Sequence, residues 1–245
     1  MDILQFVGME HQNFLVSLAT NQDELKIISN LQGLYEAATA HVTVSENDVA
    51  VFQLLTFTHY HFLFATASLM RWHLSEAFAS ARTAIDGALI GAHIIHDRPS
   101  QIAYTKREKP FDNFARHLAN LIKNGNPLPH PLVPDLFDLH KKFSTFASHA
   151  DVNSFIHRVQ ISREPQLMLN FEYFQFSEDE TERKIHALLL FHTFVMVLDV
   201  FSNFLVVEQR AVPQAWQDEL HRLGKAIELH DAELKKTLAE MSTQS

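Results

Sequence analysis

The stretch IHALLLFHTFVMVLDVFSNFLVV, from Ile185 to Val207, decides how the rest of the chain must be arranged. Its length predicts a helix, and apolar side chains would lie on every side of it, as in a bundle centre or a membrane span. Asp199 lies within this stretch, with His192 two turns before it. Because an ionised carboxylate is costly inside a bilayer, we expect a helix enclosed by protein rather than by lipid.

Composition and charge exclude several classes of protein. The chain of 245 residues is 47% hydrophobic and 20% charged, which is enough apolar material for a substantial core. Its net charge of −9 argues against general nucleic-acid binding, which requires a basic surface. With no cysteine and only 6 glycines, the sequence offers no thiolate metal site and no glycine-rich phosphate loop. We therefore expect no cofactor and no metal.

The ends and connections of the chain bear on its domains and location. The first ten residues, MDILQFVGME, lack the basic region that opens a signal peptide. The absence of cysteine fits a reducing compartment, and no linker rich in Gly, Ser or Pro divides the sequence. We expect one domain over residues 1–245, in the cytoplasm and without a membrane segment.

Apolar residues recur at helical spacing along most of the chain, which predicts an all-α, up-and-down helical bundle. In the fourth predicted helix the spacing Gly87-xxx-Gly91 would let a neighbouring helix approach closely. Capping residues and prolines place the helices at about 2–19, from 22 onward, 46–71, 75–96, 100–107, 111–124, 134–148, 151–158, 178–207 and from Pro213 onward.

Residues 159–176 break the helical pattern. In LMLNFEYF, apolar and polar side chains alternate from Leu167 to Tyr173, which is the period of a strand. The segment Arg163-Glu164-Pro165 would turn this strand against Val159–Ser162. We expect one short strand or hairpin excursion from the bundle near 159–176.

The last predicted helix carries a seam of residues spaced alternately by four and three positions, as in a coiled coil. The seam would pack either within its own bundle or against a second copy, and we expect a homodimer. Its members are Trp216, Leu220, Leu223, Ile227, His230, Leu234 and Leu238.

Two groups of polar residues are candidates for a ligand site. Arg82 and Asp86 are four residues apart on a helix with few other charges, so we expect them to be partly buried. They would form either a structural ion pair or an arginine presented to an anion. The second group is His149, Asp151, His157 and Arg158, in which a carboxylate could orient a histidine. Asp151 could equally serve as a helix cap, and the spacing of a metal site is missing.

His192 and Asp199 are two turns apart on one side of the central helix. They would either satisfy hydrogen bonds in the core or contribute to a small-ligand site inside the bundle.

Over about residues 50–160 the sequence resembles bacterial helical proteins related to the HEPN (nucleotide-binding helical bundle) class. The likeness lies in ARTAIDGAL, which holds Arg82 and Asp86, and in STFASHADV, which holds Ser144 and His149. Ribonuclease members of that class carry an arginine followed four to six residues later by a histidine, and no arginine here has that neighbour. The resemblance therefore implies the fold and not the catalytic activity.

We predict a non-catalytic helical-bundle protein that binds a protein partner or a small anionic ligand and does not bind nucleic acid. The candidate ligand-binding residues are Arg82, Asp86, His149, Asp151, His157 and Arg158. The alternative is a hydrolytic or nuclease-like enzyme with a polar site between helices, in which Arg82, His149 and His157 would act.

Overall fold

Helices dominate the parts of the chain that the computed structural model describes, which are residues 2–39, 48–95, 97–107, 114–147, 159–162, 168–171, 180–207 and 212–242. This arrangement confirms the all-α class. Within those ranges the helices are α1 (Ile3–Thr20), α2 (Gln22–Thr39), α3 (Val49–Met70), α4 (Leu74–Ile94), α5 (Arg98–Thr105), α6 (Phe114–Lys123), α7 (Val133–Ala147), α8 (Glu180–Asp199), α9 (Ser202–Val207) and α10 (Gln214–Ser242).

Two short strands lie between α7 and α8. Strand β1 (Val159–Ser162) pairs antiparallel with β2 (Met168–Phe171), and Ile161 is opposite Leu169 in the register. The residues that join the two strands lie outside the described ranges.

Helix α8 lies in the centre of the core, as its apolar sequence predicts. Phe191 and Phe194 are fully buried, and the ring of Phe194 packs edge-on against Phe62 of α3, with 5.3 Å between ring centroids. The hydroxyl of Tyr35, from α2, donates a hydrogen bond of 3.3 Å to the carbonyl of Phe194. No helix in the described ranges is long and apolar enough to cross a bilayer.

The central stretch is not one continuous helix to Val207, so the expected range 178–207 is wrong at its C-terminal side. Helix α8 ends at Asp199, and the amide of Phe201 donates to the carbonyl of Leu198, three residues back, at 3.0 Å. This tighter turn separates α8 from α9. The Phe201 ring lies so close to Gly91 of α4 that a Cβ there would come within 2.8 Å of it.

The small residues of α4 allow close approach on two sides. Gly91 accommodates Phe201, while a Cβ at Gly87 would come within 3.0 Å of Phe57 on α3. Helix α4 runs parallel to α8, because Phe78 is beside His186 and Gly91 is beside Phe201. Gly87 therefore allows α3 to approach closely, and Gly91 allows the Phe201 ring to do so.

The predicted seam of α10 packs inside its own chain. Trp216, Leu220, Leu223 and Ile227 belong to the buried core. The indole N–H of Trp216 donates a hydrogen bond of 2.9 Å to the carbonyl of Leu34 in α2. These side chains are therefore not available to a second copy, and the seam no longer supports the homodimer prediction.

Candidate functional site

A cavity of about 530 Å³ opens between α7, α8 and α10. We call it the groove. Its walls contain apolar side chains together with charged residues of both signs, which is the usual make-up of a small-molecule site. The lining residues are Leu132, Asp135, Asp138, Leu139 and Lys142 of α7 and the turn before it, His192, Val195, Met196 and Asp199 of α8, and His221, Gly224, Lys225 and Glu228 of α10.

The floor of the groove is apolar because α8 and α10 approach closely there. Val195 and Met196 are buried, and Leu139 is partly buried. A Cβ added to Gly224 would lie 3.2 Å from the Val195 side chain, which is tighter than ordinary contact. Gly224 thus sets the spacing of the two helices at the floor.

Two histidine–carboxylate pairs cross from α8 to α10. Nε2 of His192 lies 3.4 Å from a carboxylate oxygen of Glu228, and Nε2 of His221 lies 3.1 Å from a carboxylate oxygen of Asp199. Each helix contributes one histidine and one acid, seven residues apart, so the pairs are reciprocal in an antiparallel arrangement. Seven residues span about 10 Å along a helix, and the pairs therefore bracket the floor.

The two pairs do not combine into a metal site. Among the described residues, no group of three or more His, Asp or Glu side chains is placed to hold a metal ion. In each pair a neutral imidazole can donate its Nε2–H to the carboxylate, and a protonated one would form a salt bridge. The pairs therefore tie α8 to α10 at both ends of the groove.

Among the described residues, the two lysines of the groove differ from three of its four acids in having no ion-pair partner. Lys142 and Lys225 are exposed, and neither has an ion-pair partner among the residues that the structure describes. By contrast, Asp138 accepts a hydrogen bond of 3.1 Å from Lys141. Asp135 lies in the first turn of α7, where the positive end of the helix stabilises an acid. Lys142 and Lys225 are therefore the groove cations that an anionic group of a ligand could neutralise.

Arg82 and Asp86 meet at a third residue, His140 of α7. The Nε–H of Arg82 points at Nε2 of His140 at 3.3 Å, and the same nitrogen lies 3.0 Å from a carboxylate oxygen of Asp86. One nitrogen cannot both accept from the arginine and donate to the carboxylate, so the tautomer of His140 decides which contact is a hydrogen bond.

The burial expected for Arg82 and Asp86 is wrong for the acid. Arg82 is partly buried, but half of the Asp86 side chain is exposed, with a relative exposure of 50%. The sequence contains few charges in this helix because its other sides pack through small residues, not because these two are enclosed. Neither residue lines the groove.

The other four predicted ligand-binding residues, His149, Asp151, His157 and Arg158, lie outside the described residues. Their convergence with Arg82 stays a prediction.

Sequence reasoning identified one member of each cross-helix pair in the groove and missed the other. His192 and Asp199 were recognisable from their spacing, but their partners Glu228 and His221 were not expected, nor were the two free lysines. A usable signal was present: His221 and Glu228 repeat the seven-residue interval of His192 and Asp199. On antiparallel helices, equal intervals place such residues opposite one another.

Comparisons with models of protein families, with curated proteins and with solved structures give no match to this chain. Function must therefore be inferred from the side chains and their geometry.

Proposed function

We propose that the chain is a non-catalytic binding protein that holds a small amphipathic molecule in the groove, with an anionic group of that molecule beside Lys142 and Lys225. The observation that carries this proposal is that two lysines with no ion-pair partner in the described part of the chain lie beside an apolar floor. An apolar body would cover Val195 and Met196, and the anion would neutralise the two cations.

The size and charge of the groove support this ligand class. A cavity of about 530 Å³ falls within the range of small-molecule sites. Of its four carboxylates, Asp138 contacts the ammonium of Lys141, and Glu228 and Asp199 each contact an imidazole, so none of these three needs a groove lysine as its partner. The histidine pairs hold the two walls and need not touch the ligand.

The proposal also includes a cytoplasmic location, a homodimer and a helical scaffold like that of the HEPN class. The lack of cysteine fits a reducing compartment. The HEPN likeness concerns the scaffold alone, because the histidine that contacts Arg82 is His140, 58 residues away. The hydrolytic alternative stays a prediction that uses Arg82, which lies away from the groove.

Three compounds with the same eight-carbon chain test the proposal by calorimetric titration: octanoate, octanol and octylamine. We expect octanoate to bind more tightly than octanol, because only octanoate neutralises the lysines, and octylamine to bind least. Lys142→Ala and Lys225→Ala should each weaken octanoate binding roughly two- to five-fold, as expected for exposed ion pairs, and leave octanol binding unchanged.

Lys123→Ala is the control, because Lys123 of α6 is an exposed lysine that does not line the groove. Equal affinities for octanoate and octanol would refute the anionic part of the proposal. Failure of all three compounds to bind would refute the groove as an amphipathic-ligand site.

A further inference from the structure

Helix α3 leaves a large apolar face uncovered on the outside of the bundle. Five side chains of this helix are exposed by 39–60%, with Tyr60 the most exposed. Clustered apolar surface of this kind is uncommon on a monomer and marks an interaction site; exposed Gln53 and Thr56 lie between Val49 and the other four side chains. We call it the α3 face: Val49, Phe57, Tyr60, Leu63 and Phe64.

The α3 face carries no formal charge. From Val49 to Met70 the sequence contains no Asp, Glu, Lys or Arg, although the whole chain has a net charge of −9. Two histidines of this helix, His59 and His61, are partly buried, and burial lowers the pKa of each below its ordinary value. Both rings are therefore neutral near pH 7.

The aromatic rings of the face are already held in place. The ring of Phe57 packs edge-on against His61, with 4.5 Å between centroids, and Tyr60 stacks on Phe64 at 6.4 Å. His61 is itself fixed by a 2.8 Å contact between its Nδ1 and the hydroxyl of Ser80 in α4. A preordered surface loses little side-chain entropy when a partner covers it.

Helix α1 borders the α3 face. Val7 of α1 and Ala67 of α3 line one cavity of about 320 Å³, and the charged side chains of Glu10 and Arg71 line it as well. Ile3 and Leu4 lie one turn before Val7 on the same side of α1 and are exposed by 71% and 80%. The exposed apolar residues of α1 are therefore a second patch beside the α3 face, with charged side chains in the cavity between the two helices.

The chemistry of the face narrows the choice of partner. Nucleic acids and anionic membrane surfaces are bound through Lys and Arg. Helix α3 has neither, and the nearby cations of the described residues lie at its two ends, where Arg98 and Lys106 line a cavity with Val49 and Arg71 lines one with Ala67. A charged peptide would find no opposite charge on α3. A second copy of the chain offers the same uncharged face. Pairing of the two faces brings no like charges of α3 together, because this helix carries no formal charge.

We propose that two copies of this chain associate through the α3 face, with a two-fold axis beside Tyr60. Tyr60 lies at the middle of α3, and Phe57 and Leu63 flank it at equal intervals of three residues. An antiparallel pair of α3 helices would therefore set Phe57 of each copy against Leu63 of the other, which is the self-complementarity that a symmetric dimer requires.

The area available fits a dimer of moderate strength. A complete aromatic side chain offers about 150–250 Å², so the exposed parts of the α3 face provide on the order of several hundred Å² per copy. Stable interfaces bury roughly 800 Å² per partner. We expect a dissociation constant in the micromolar range, so the dimer should form and dissociate with protein concentration.

Light scattering and sedimentation over a concentration series, from low to several hundred micromolar, test the proposal. The wild-type mass should rise from 28.1 kDa toward twice that value. Tyr60→Asp should remain at the monomer mass throughout, because it places a charge on each side of the axis. Leu229→Asp is the matched control, since Leu229 on α10 is exposed by 67%, close to the 60% of Tyr60, and should dimerise like the wild type.

A cysteine experiment gives a second readout that does not depend on a disruptive charge. The chain has no cysteine, so Tyr60→Cys introduces the sole thiol. Mild oxidation should link two copies through Tyr60→Cys and should leave Leu229→Cys largely unlinked. A wild-type chain that stays monomeric at the highest concentration, or equal linking of the two cysteine variants, would overturn the proposal. The test involves no groove residue, so its outcome is independent of ligand binding.

Discussion

Helices α3 and α8 have similar apolar sequences but different surroundings. Neither has a distinct polar side: α3 lacks formal charges, and α8 has none between His186 and Leu198. Yet α8 has no exposed large apolar side chain, whereas α3 has five. Helices α2, α4 and α10 of the same chain cover α8. An apolar sequence thus predicts that a helix will be covered, but not whether its own chain or a second copy covers it.

The largest difference between the two helices should appear on truncation of a phenylalanine. Phe194 of α8 is fully buried, so Phe194→Ala should lower the free energy of unfolding by about 3–5 kcal/mol. The matched substitution Phe64→Ala removes a ring that is 46% exposed and should cost less than about 1 kcal/mol. Urea denaturation at low protein concentration measures both, and equal losses would refute the contrast.

Glycine-to-alanine substitutions test how tightly the turn between α8 and α9 is packed. Gly91→Ala would place a methyl group 2.8 Å from the buried ring of Phe201, which has no room to move. We expect a loss of about 1–3 kcal/mol from this overpacking.

Gly33→Ala in α2 is the control for Gly91→Ala, because nothing lies within 4 Å of its new methyl group. Alanine is the better helix former, so this variant should gain up to about 1 kcal/mol. Thermal unfolding distinguishes the two variants. A Gly91→Ala protein as stable as Gly33→Ala would show that α4 and Phe201 are not in close contact.

The smallest predicted effect is a dependence on pH. His186 of α8 packs edge-on against Trp72 and Phe78, with centroids 6.0 and 5.7 Å away. Burial lowers the pKa of His186, partly offset by Glu182, and burial likewise lowers the pKa of His93. A histidine in the unfolded chain has a pKa of about 6.5. Below that pH the unfolded chain binds protons more readily than the folded chain, in which the pKa values of these two histidines are lower. Stability should therefore be greatest above this pH and fall on acidification.

The measurement for this pH dependence is the melting temperature from pH 7.5 to 5.5. The melting temperature of the wild type should fall over this range, by about 2–4 °C for each kcal/mol by which the free energy of unfolding decreases. His186→Phe should show a shallower decline, because the ring that resists protonation is gone. A decline with the same slope would assign the pH dependence to other groups.

The sequence was sufficient to predict most of the helices. Pro213 indicated the start of α10 to within one residue, and Pro99 lies in the first turn of α5 as expected of a residue that cannot continue α4. The break after Asp199 was not predictable, because the apolar run continues through it. At that break Phe201 packs against Gly91, which is a contact between distant parts of the chain.

The site was less accessible to sequence reasoning than the fold. The interval between His192 and Asp199 was visible, but their partners depend on the register of α8 against α10, which the contact of Gly224 with Val195 helps to set. The partial burial of Arg82 depends on α7, which supplies His140. In both cases the decisive information lies between elements rather than within one.

Hydroxyl-radical labelling of aromatic side chains, read by mass spectrometry at low and high protein concentration, tests the contrast between α3 and α8 most directly. We predict that Tyr60 and Phe64 are labelled at low concentration and protected at high concentration, whereas Phe194 and Phe201 are protected at both. Labelling of Phe194 at the rate of Tyr60 in the folded protein, or labelling of Tyr60 that does not change with concentration, would contradict the account.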